Sequence, residues 1–191
     1  ERSPTGAARA ALRDAARSDG DADVRQFAVE ALGKVGGERA AGTAADLTDD
    51  PDPWVRAEAY VTLDRLDRAA HEATIEAGLD DDHHAVRRNA LISLFKLRGT
   101  DAADTLLDLT EDDSERVREW AAHLLAGIEG DEADRRLERL AAEDPSDVVR
   151  RTAEHALDAD PGSFRRQFSG ALDPDVADAS VDDTLNRRPD L

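Results

Sequence analysis

A unit of about 31 residues recurs along this chain and constrains its fold more than any other feature. A Val-Arg pair occurs five times, with successive spacings of 31, 31, 31 and 32 residues. The pairs are Val24-Arg25, Val55-Arg56, Val86-Arg87, Val117-Arg118 and Val149-Arg150. A unit of this length cannot bury a hydrophobic face alone, so it must stack on its neighbours. The repeat therefore predicts an all-α, right-handed solenoid of about five two-helix units.

An apolar stripe follows each Val-Arg pair at helical spacing. With the Val as position 0, position +4 is Ala and position +8 is Leu in all five copies, and position +11 is apolar in the first four. These positions fall on one side of a 3.6-residue helix. The pattern predicts a second helix in each unit whose stripe is buried, while position +2, occupied by Arg88 in the third copy, is expected to point outward.

An aspartate stands five residues before each Val, in a turn that precedes the second helix. A carboxylate there is favoured by the positive end of the helix dipole. We expect each repeat arginine to bind turn carboxylates of its own or a neighbouring repeat and so to fix the repeat spacing. Ligand binding by these arginines is the alternative. The predicted ladder consists of Asp19, Arg25, Asp50, Arg56, Asp81, Arg87, Asp112, Arg118, Asp144 and Arg150.

Shorter helical runs are predicted between these segments, over residues 4–17, 38–48, 68–79, 101–110 and 131–142. Ser3-Pro4, Thr100 and Asp131 have the chemistry of helix N-termini. Glycines at 36, 37, 99 and 130 are placed to end the preceding helices. Each repeat is then a helix, an acidic turn and a helix.

The motif from Asp50 to Leu63 carries a family resemblance. Its pattern Asp-Pro-Asp-Pro-x-Val-Arg-x-x-Ala-x-x-x-Leu, echoed in the other copies, resembles the HEAT-like repeat of the phycobilisome-lyase type over about residues 3–158. That resemblance implies a helical solenoid. It leaves the function open, because proteins of this type include bilin lyases and many binding scaffolds, and HEAT-like folds also include deoxyhypusine hydroxylase and alkylpurine DNA glycosylases.

Composition indicates the solvent in which such a chain works. Its 44 acidic and 25 basic residues give a formal net charge of −19, and only two of the bases are lysines. Concentrated salt screens repulsion among so many acids. We therefore expect a cytoplasmic protein of a salt-in halophile, a haloarchaeon in particular. The negative charge is then explained by the salt concentration of the cytoplasm, so it does not indicate a basic partner.

Several kinds of chemistry are excluded or disfavoured by the sequence. The chain has no cysteine, which excludes disulfides and thiolate sites. No apolar run has the length of a membrane span. His83 and His84, beside a run of aspartates, are weak candidates for a metal site, and a polar turn is the simpler interpretation. The sequence has one His-Glu pair, His71-Glu72, where the two-iron hydroxylase of this fold uses several. We expect no cofactor and no catalytic residue.

Nucleic-acid binding is also disfavoured. It needs clustered Lys and Arg side chains to neutralise phosphates. Here five arginines belong to the repeat frame and the others are interleaved with acids. The two tryptophans, Trp54 and Trp120, occupy different frame positions.

The end of the chain departs from the repeat. The frame predicts a solenoid over residues 1–160 and a capping helix within residues 161–172 that presents Phe164, Phe168 and Leu172 to the end of the stack. Residues 173–191 are acid-rich and poor in core residues, which predicts a flexible tail. A docking peptide is the alternative.

The remaining functional signal is apolar residues at positions +5, +6 and +9 of the second helices. A helical wheel places these positions away from the stripe, so they are candidates for a partner-binding face. Packing against the adjacent repeat is the alternative. The partner-binding candidates are Tyr60, Val61, Leu91, Ile92, Phe95, Trp120 and His123. The sequence thus predicts a monomeric, non-enzymatic scaffold that binds another protein; the alternative is a metal-dependent or small-molecule enzyme on the same fold.

Overall fold

The described part of the chain is built from helices. The computed structural model describes residues 6–37 and 39–168, and within these ranges every regular element is helical. The α-helices are α1 (Gly6–Ser18), α2 (Ala22–Val35), α3 (Ala40–Asp46), α4 (Pro53–Asp67), α5 (Glu72–Ala77), α6 (His84–Arg98), α7 (Ala103–Leu109), α8 (Glu115–Leu125), α9 (Asp131–Glu143), α10 (Asp147–Leu157) and α11 (Pro161–Phe168). The all-α solenoid predicted from the repeat is confirmed.

The chain divides into two compact units. The first ends at Ser93 and the second begins at Leu94, so the boundary falls within α6. The second helices of the repeats are α2, α4, α6, α8 and α10, and each contains one Val-Arg pair.

The second helix of each repeat begins at the acidic turn. At α4 the Asp52 carboxylate accepts hydrogen bonds from the amides of Trp54 and Val55, at 2.9 and 3.3 Å. Pro53 occupies the first helical position, where its missing N–H costs nothing. At α2 the side chain of Asp21 accepts from the amide of Asp23 in the same way.

The predicted stripe forms the core between consecutive second helices in the first unit. Val55 and Ala59, at positions 0 and +4 of the second repeat, pack in one cluster with Ala28, Val29 and Leu32 of the first. Val86 and Ala90 pack in the same way with residues of α4. Alanine at +4 lets the helix backbones approach closely, which a larger side chain would prevent.

The first helices are less regular than the sequence predicts. Three of them are interrupted or extended by 3₁₀ turns, at Leu47–Asp49, Ala69–His71, Gly78–Asp80 and Gly99–Ala102. Thr100 lies inside the last of these turns and caps no helix, and α9 begins at Asp131 itself, after Gly130. Gly130 has φ = 133°, a conformation that favours glycine over other residues. Ser3-Pro4 lies outside the described residues.

A helix is present as α11 within the range predicted for the capping helix, and its phenylalanines pack on Phe95 and His123. It starts after Asp160, whose carboxylate accepts from the Ser163 amide at 2.6 Å. The predicted extension to residue 172 and the acidic tail at 173–191 lie outside the described residues.

Two side chains differ from the helical-wheel expectation. Arg88 was expected to point outward but is 4 % exposed, and its guanidinium donates to Asn89 Oδ1. Asn89 in turn donates to the Ala57 carbonyl at 2.9 Å, so the Asn89 side chain lies against the preceding second helix. Val24, at position 0 of the first repeat, is 40 % exposed although the stripe was expected to be buried. The wheel treats each helix alone, whereas the exposure of a side chain also depends on the elements that pack around it.

Candidate interaction surfaces on the second helices

The repeat arginines connect successive repeats within each unit. Arg25 donates through Nε and Nη2 to the two carboxylate oxygens of Asp50, both at 2.8 Å. Arg118 binds Asp144 in the same bidentate way, at 2.8 and 3.1 Å. In both pairs the arginine precedes its aspartate by one repeat, so the carboxylate belongs to the next repeat of the same compact unit.

Each of these arginines also holds its own turn. Its Nη1 donates to the main-chain carbonyl of the aspartate six residues earlier. This second contact occurs in all five copies, from Arg25, Arg56, Arg87, Arg118 and Arg150 to the carbonyls of Asp19, Asp50, Asp81, Asp112 and Asp144. Arg150, in the last repeat, pairs with Asp147 of its own helix.

The turn aspartates have two roles. The carboxylate of each turn aspartate accepts a hydrogen bond from the main-chain amide two residues later. This bond closes the turn before the second helix. Asp50, Asp81 and Asp144 also bind an arginine of the preceding repeat. Burial opposes ionisation of Asp81, but the hydrogen bonds from Arg56 and from the His83 amide outweigh it and lower its pKa. The hydrogen bond with Asp81 raises the pKa of Arg56 despite partial burial. Both groups are therefore charged at neutral pH.

An aromatic cluster lies beside this turn in the first unit. The Trp54 ring lies edge-on to His83, with centroids 5.0 Å apart, and His83 lies 4.5 Å from His84. His83 Nδ1 is buried without a hydrogen-bond partner, and burial together with the neighbouring His84 lowers the pKa of His83. Within the described ranges no group of three or more His, Cys, Asp or Glu side chains is arranged to hold a metal ion. The pair packs against Trp54 as part of the turn.

A second aromatic cluster lies in the second unit, where α11 packs on the second helices. The rings of Phe164 and Phe168 are stacked 5.6 Å apart at 10°. The ring centroid of Phe95 lies 6.2 Å from that of Phe164 and 5.5 Å from that of Phe168. The ring centroid of His123 lies 5.1 Å from that of Phe164 and 6.2 Å from that of Phe168. Trp120 lies edge-on to His123 at 5.3 Å. We call the surface formed by Phe95, Trp120, His123 and Gly127 the aromatic groove.

Gly127 and Arg165 define one wall of the aromatic groove. A Cβ at Gly127 would lie 2.7 Å from the Phe95 ring and 2.9 Å from the Phe164 ring, so only glycine admits α11 at this distance. Arg165 donates to the Gly127 carbonyl at 2.6 Å and to Glu129 at 3.0 Å. The groove therefore combines an aromatic floor with one main-chain acceptor, the Gly127 carbonyl that Arg165 binds.

Burial sets the charge state of the groove histidine. His123 is half-buried between Trp120 and the two phenylalanines of α11, and this burial lowers its pKa. A neutral imidazole is therefore favoured in the docked state, where a cationic one would be desolvated. His155, at the same frame position in the next repeat, is exposed.

The partner-binding candidates from the sequence differ in exposure. The expectation that they point to solvent is wrong for Tyr60, Leu91, Ile92 and Phe95, which are 4, 0, 8 and 3 % exposed. Val61, Trp120 and His123 are half-buried. Tyr60 packs against Gly78 and donates to the Thr74 carbonyl, because the first helix of the following repeat covers position +5. Phe95 contacts the two phenylalanines of α11.

The comparison with known families agrees with this architecture. A family model of HEAT repeats matches residues 9–84 and 72–158. The chain belongs to the HEAT-repeat family. No curated protein matches the chain. Every HEAT-repeat helix in the described ranges is too short or too polar to span a bilayer.

Some contacts of this HEAT-repeat chain were missed by sequence reasoning. Asn89 hydrogen-bonds to the preceding repeat, and Arg136 donates to the Leu107 carbonyl at 2.7 Å, but neither position recurs with the same residue in the other copies. The docking of Phe164 and Phe168 on Phe95 and His123 was also missed. The spacing of four residues between the two phenylalanines was the available signal, since it places both rings on one helix face.

Proposed function

We propose that this HEAT-repeat chain is a non-enzymatic scaffold that binds a partner protein through the aromatic groove. HEAT repeats commonly serve as protein-interaction scaffolds. One observation carries the proposal: the groove already holds a short amphipathic helix, α11, through two aromatic side chains. Binding of a helix in a groove is a recurring mode of protein recognition, read through anchors spaced three or four residues apart.

The way α11 is held supports its displacement by a partner. None of its residues is fully buried, and Phe164, Arg165 and Phe168 provide its attachments to the groove. A segment with so little buried surface opens at a small free-energy cost compared with global unfolding. A partner helix with better anchors can then take its place.

The groove also indicates the chemistry of that partner. The positions of Phe164 and Phe168 favour a helix with two aromatic residues four positions apart. The contact of Arg165 with the Gly127 carbonyl and Glu129 favours an arginine directly after the first aromatic residue. Apolar and aromatic contacts are retained when concentrated salt screens charges. The net charge of −19 supports the further proposal that this binding takes place in haloarchaeal cytoplasm.

Vacating the groove in the full chain tests the proposal. The double variant Phe164→Ser/Phe168→Ser removes the anchors of α11 and leaves the groove intact. A labelled synthetic peptide covering Asp160–Leu172 should bind this variant at least about tenfold more tightly than it binds the unchanged chain, because α11 no longer competes. Fluorescence anisotropy in molar KCl measures both affinities. The same peptide with serine at both phenylalanine positions is the control and should not bind.

Capture from a high-salt lysate tests whether the groove serves a cellular partner. Proteins retained by the vacated variant should be lost when His123→Ala is added, and kept when the matched change His155→Ala is added instead, since His155 is exposed outside the groove. Equal capture by all three variants would count against the groove, as would a peptide that fails to bind the vacated chain.

A further inference from the structure

The place in the aromatic groove where Phe168 lies is bordered by a cation. The Lys96 ammonium lies over the Phe168 ring, 6.0 Å from its centroid. Lys96 is half-buried and directly follows Phe95 on α6. A cation at this distance is attracted by the quadrupole of an aromatic ring, which a saturated side chain lacks. We call the positions of Phe164 and Phe168 the first and second anchors, and the second anchor therefore makes a contact that requires an aromatic side chain.

The second anchor also makes two ring contacts that an aliphatic side chain would not make. The Phe168 ring meets the Phe95 ring at 71° and the His123 ring at 62°, so both pairs are edge-to-face. Such pairs attract beyond the effect of buried area, because the positive edge of one ring faces the negative face of the other. A leucine in this place would bury apolar surface but would lose both contacts and the attraction of Lys96.

The first anchor offers a comparison within the same groove. The Phe164 ring meets Phe95 at 63° and His123 at 72°, so its ring contacts resemble those of Phe168. Within the described ranges, the one ring of α11 that lies under a cation is that of Phe168. The two anchors therefore share the neutral ring contacts and differ in the contact with Lys96.

The direction of α11 adds a second effect of Lys96. Phe168 is the last residue of α11, so Lys96 lies near the C-terminal end of the bound helix. A cation there is stabilised by the helix dipole. This contribution is the same whichever side chain occupies the second anchor, so it adds to affinity without adding to discrimination between side chains.

We infer that Lys96 is a specificity-determining residue of the aromatic groove. Together with Phe95 and His123, it selects an aromatic over an aliphatic side chain at the second anchor of a bound helix. For a partner helix the inference rests on the proposed function, and for α11 it applies within the chain itself. The partner is then a helix with phenylalanine, tyrosine or tryptophan four positions after its first anchor, and a helix with leucine in that place binds weakly.

Peptide binding to the full chain with Phe164→Ser/Phe168→Ser measures this selection. The labelled peptide covering Asp160–Leu172 should bind about tenfold more weakly when it carries Phe168→Leu. Adding Lys96→Gln to the chain should reduce that ratio to about threefold, whereas Lys96→Arg should preserve it, because arginine keeps the cation. Fluorescence anisotropy in molar KCl gives each ratio. A ratio of two affinities for the same chain cancels the contribution of the helix dipole.

The first anchor provides the matched control. The loss of affinity caused by Phe164→Leu in the peptide should be the same for chains with Lys96 and with Lys96→Gln, because Lys96 lies over the other ring. A Phe168→Leu ratio that is also unchanged by Lys96→Gln would overturn the inference. Failure of the unaltered peptide to bind would instead contradict the proposed function.

A double-mutant cycle within the chain tests Lys96 even if no peptide binds. Lys96→Gln and Phe168→Leu, singly and together, should each increase the opening of α11, which hydrogen exchange of its amides measures. If the two side chains interact, the double variant should open about threefold less than the product of the single effects predicts. Single effects that multiply without coupling would overturn the inference.

Discussion

Arg56 binds Asp81 through two parallel hydrogen bonds of 2.8 Å, although the two residues lie 25 positions apart in the chain. The same guanidinium also donates to the carbonyl of Asp50 at 3.1 Å. One side chain therefore closes its own turn and fixes the position of the next. The side chains of Arg56 and Asp81 are only 13 and 14 % exposed, so water competes weakly for these bonds.

Loss of a ladder arginine is expected to destabilise the fold. Arg56→Ala should lower the free energy of unfolding by about 2 kcal/mol, because it leaves the partly buried Asp81 carboxylate without its cation. Arg17→Ala is the control: its pair with Asp46 is 41 and 60 % exposed, and removal should cost less than about 0.5 kcal/mol. Thermal unfolding in molar KCl measures both. Similar losses for the two variants would contradict a structural role for the ladder.

The apolar stripe should dominate stability in the second unit as well. Leu94, at position +8 of the third repeat, is 0 % exposed. Leu94→Ala should cost about 2 to 5 kcal/mol as a large-to-small core change. Arg139→Ala, on the exposed side of α9, should stay within about 0.5 kcal/mol. Chemical denaturation of both variants checks the register of the repeat.

Gly78 and Gly42 offer a contrast between two glycines in helical segments. An added Cβ at Gly78 would lie 2.4 Å from the Tyr60 ring, and the buried tyrosine has little room to move. Gly78→Ala should therefore cost about 1 to 3 kcal/mol through overpacking. A Cβ added at Gly42, inside α3, would have no neighbouring atom within 4 Å. Gly42→Ala should therefore raise the free energy of unfolding by about 0.5 to 1 kcal/mol, because alanine has the higher helix propensity. Melting temperatures that shift in the same direction would be inconsistent with this packing.

Salt should stabilise the isolated chain. With a net charge of −19, its acidic side chains repel one another in dilute buffer. Molar KCl shortens the screening length to about 3 Å and so weakens this repulsion. The melting temperature should therefore rise with KCl concentration, which circular dichroism can follow. A melting temperature independent of salt would reject a halophilic origin for this composition.

Docking of α11 should weaken in acid through His123. Burial holds the pKa of this imidazole below its ordinary value of 6.5, so the undocked state binds a proton more readily than the docked state. The contribution of neutral His123 to the free energy of α11 docking is fully present above pH 6.5. It decreases as the pH falls through that value and becomes constant below the pKa that His123 has in the docked state. Trp120 fluorescence as a function of pH measures this, and His123→Gln should remove the response. A His123 that titrates at or above 6.5 by NMR would contradict it.

The sequence was sufficient for features that recur in every copy and insufficient for features that occur once. Asp50 and Arg56 could be placed at one turn because five copies in register repeat their spacing. The burial of Ile92 and Phe95 could not be predicted, since a helical wheel describes one helix and these side chains are covered by others. For Phe95, those others include α11, a segment outside the repeat frame.

The turn of the last repeat has a consequence for how the length of such a chain can change. The spacing between Arg118 and Asp144 is 26 residues, one more than between Arg25 and Asp50, yet both pairs are bidentate. The additional residue is absorbed before the turn, where α9 runs unbroken over 13 residues. Every repeat has its turn aspartate and its arginine at the same frame positions. At the junctions Arg25–Asp50, Arg56–Asp81 and Arg118–Asp144, the arginine of one repeat binds the aspartate of the next. Tandem duplication or loss of a whole repeat in the gene would therefore leave each remaining junction with both of its partners, whereas an insertion between the aspartate and the arginine of one turn would separate them.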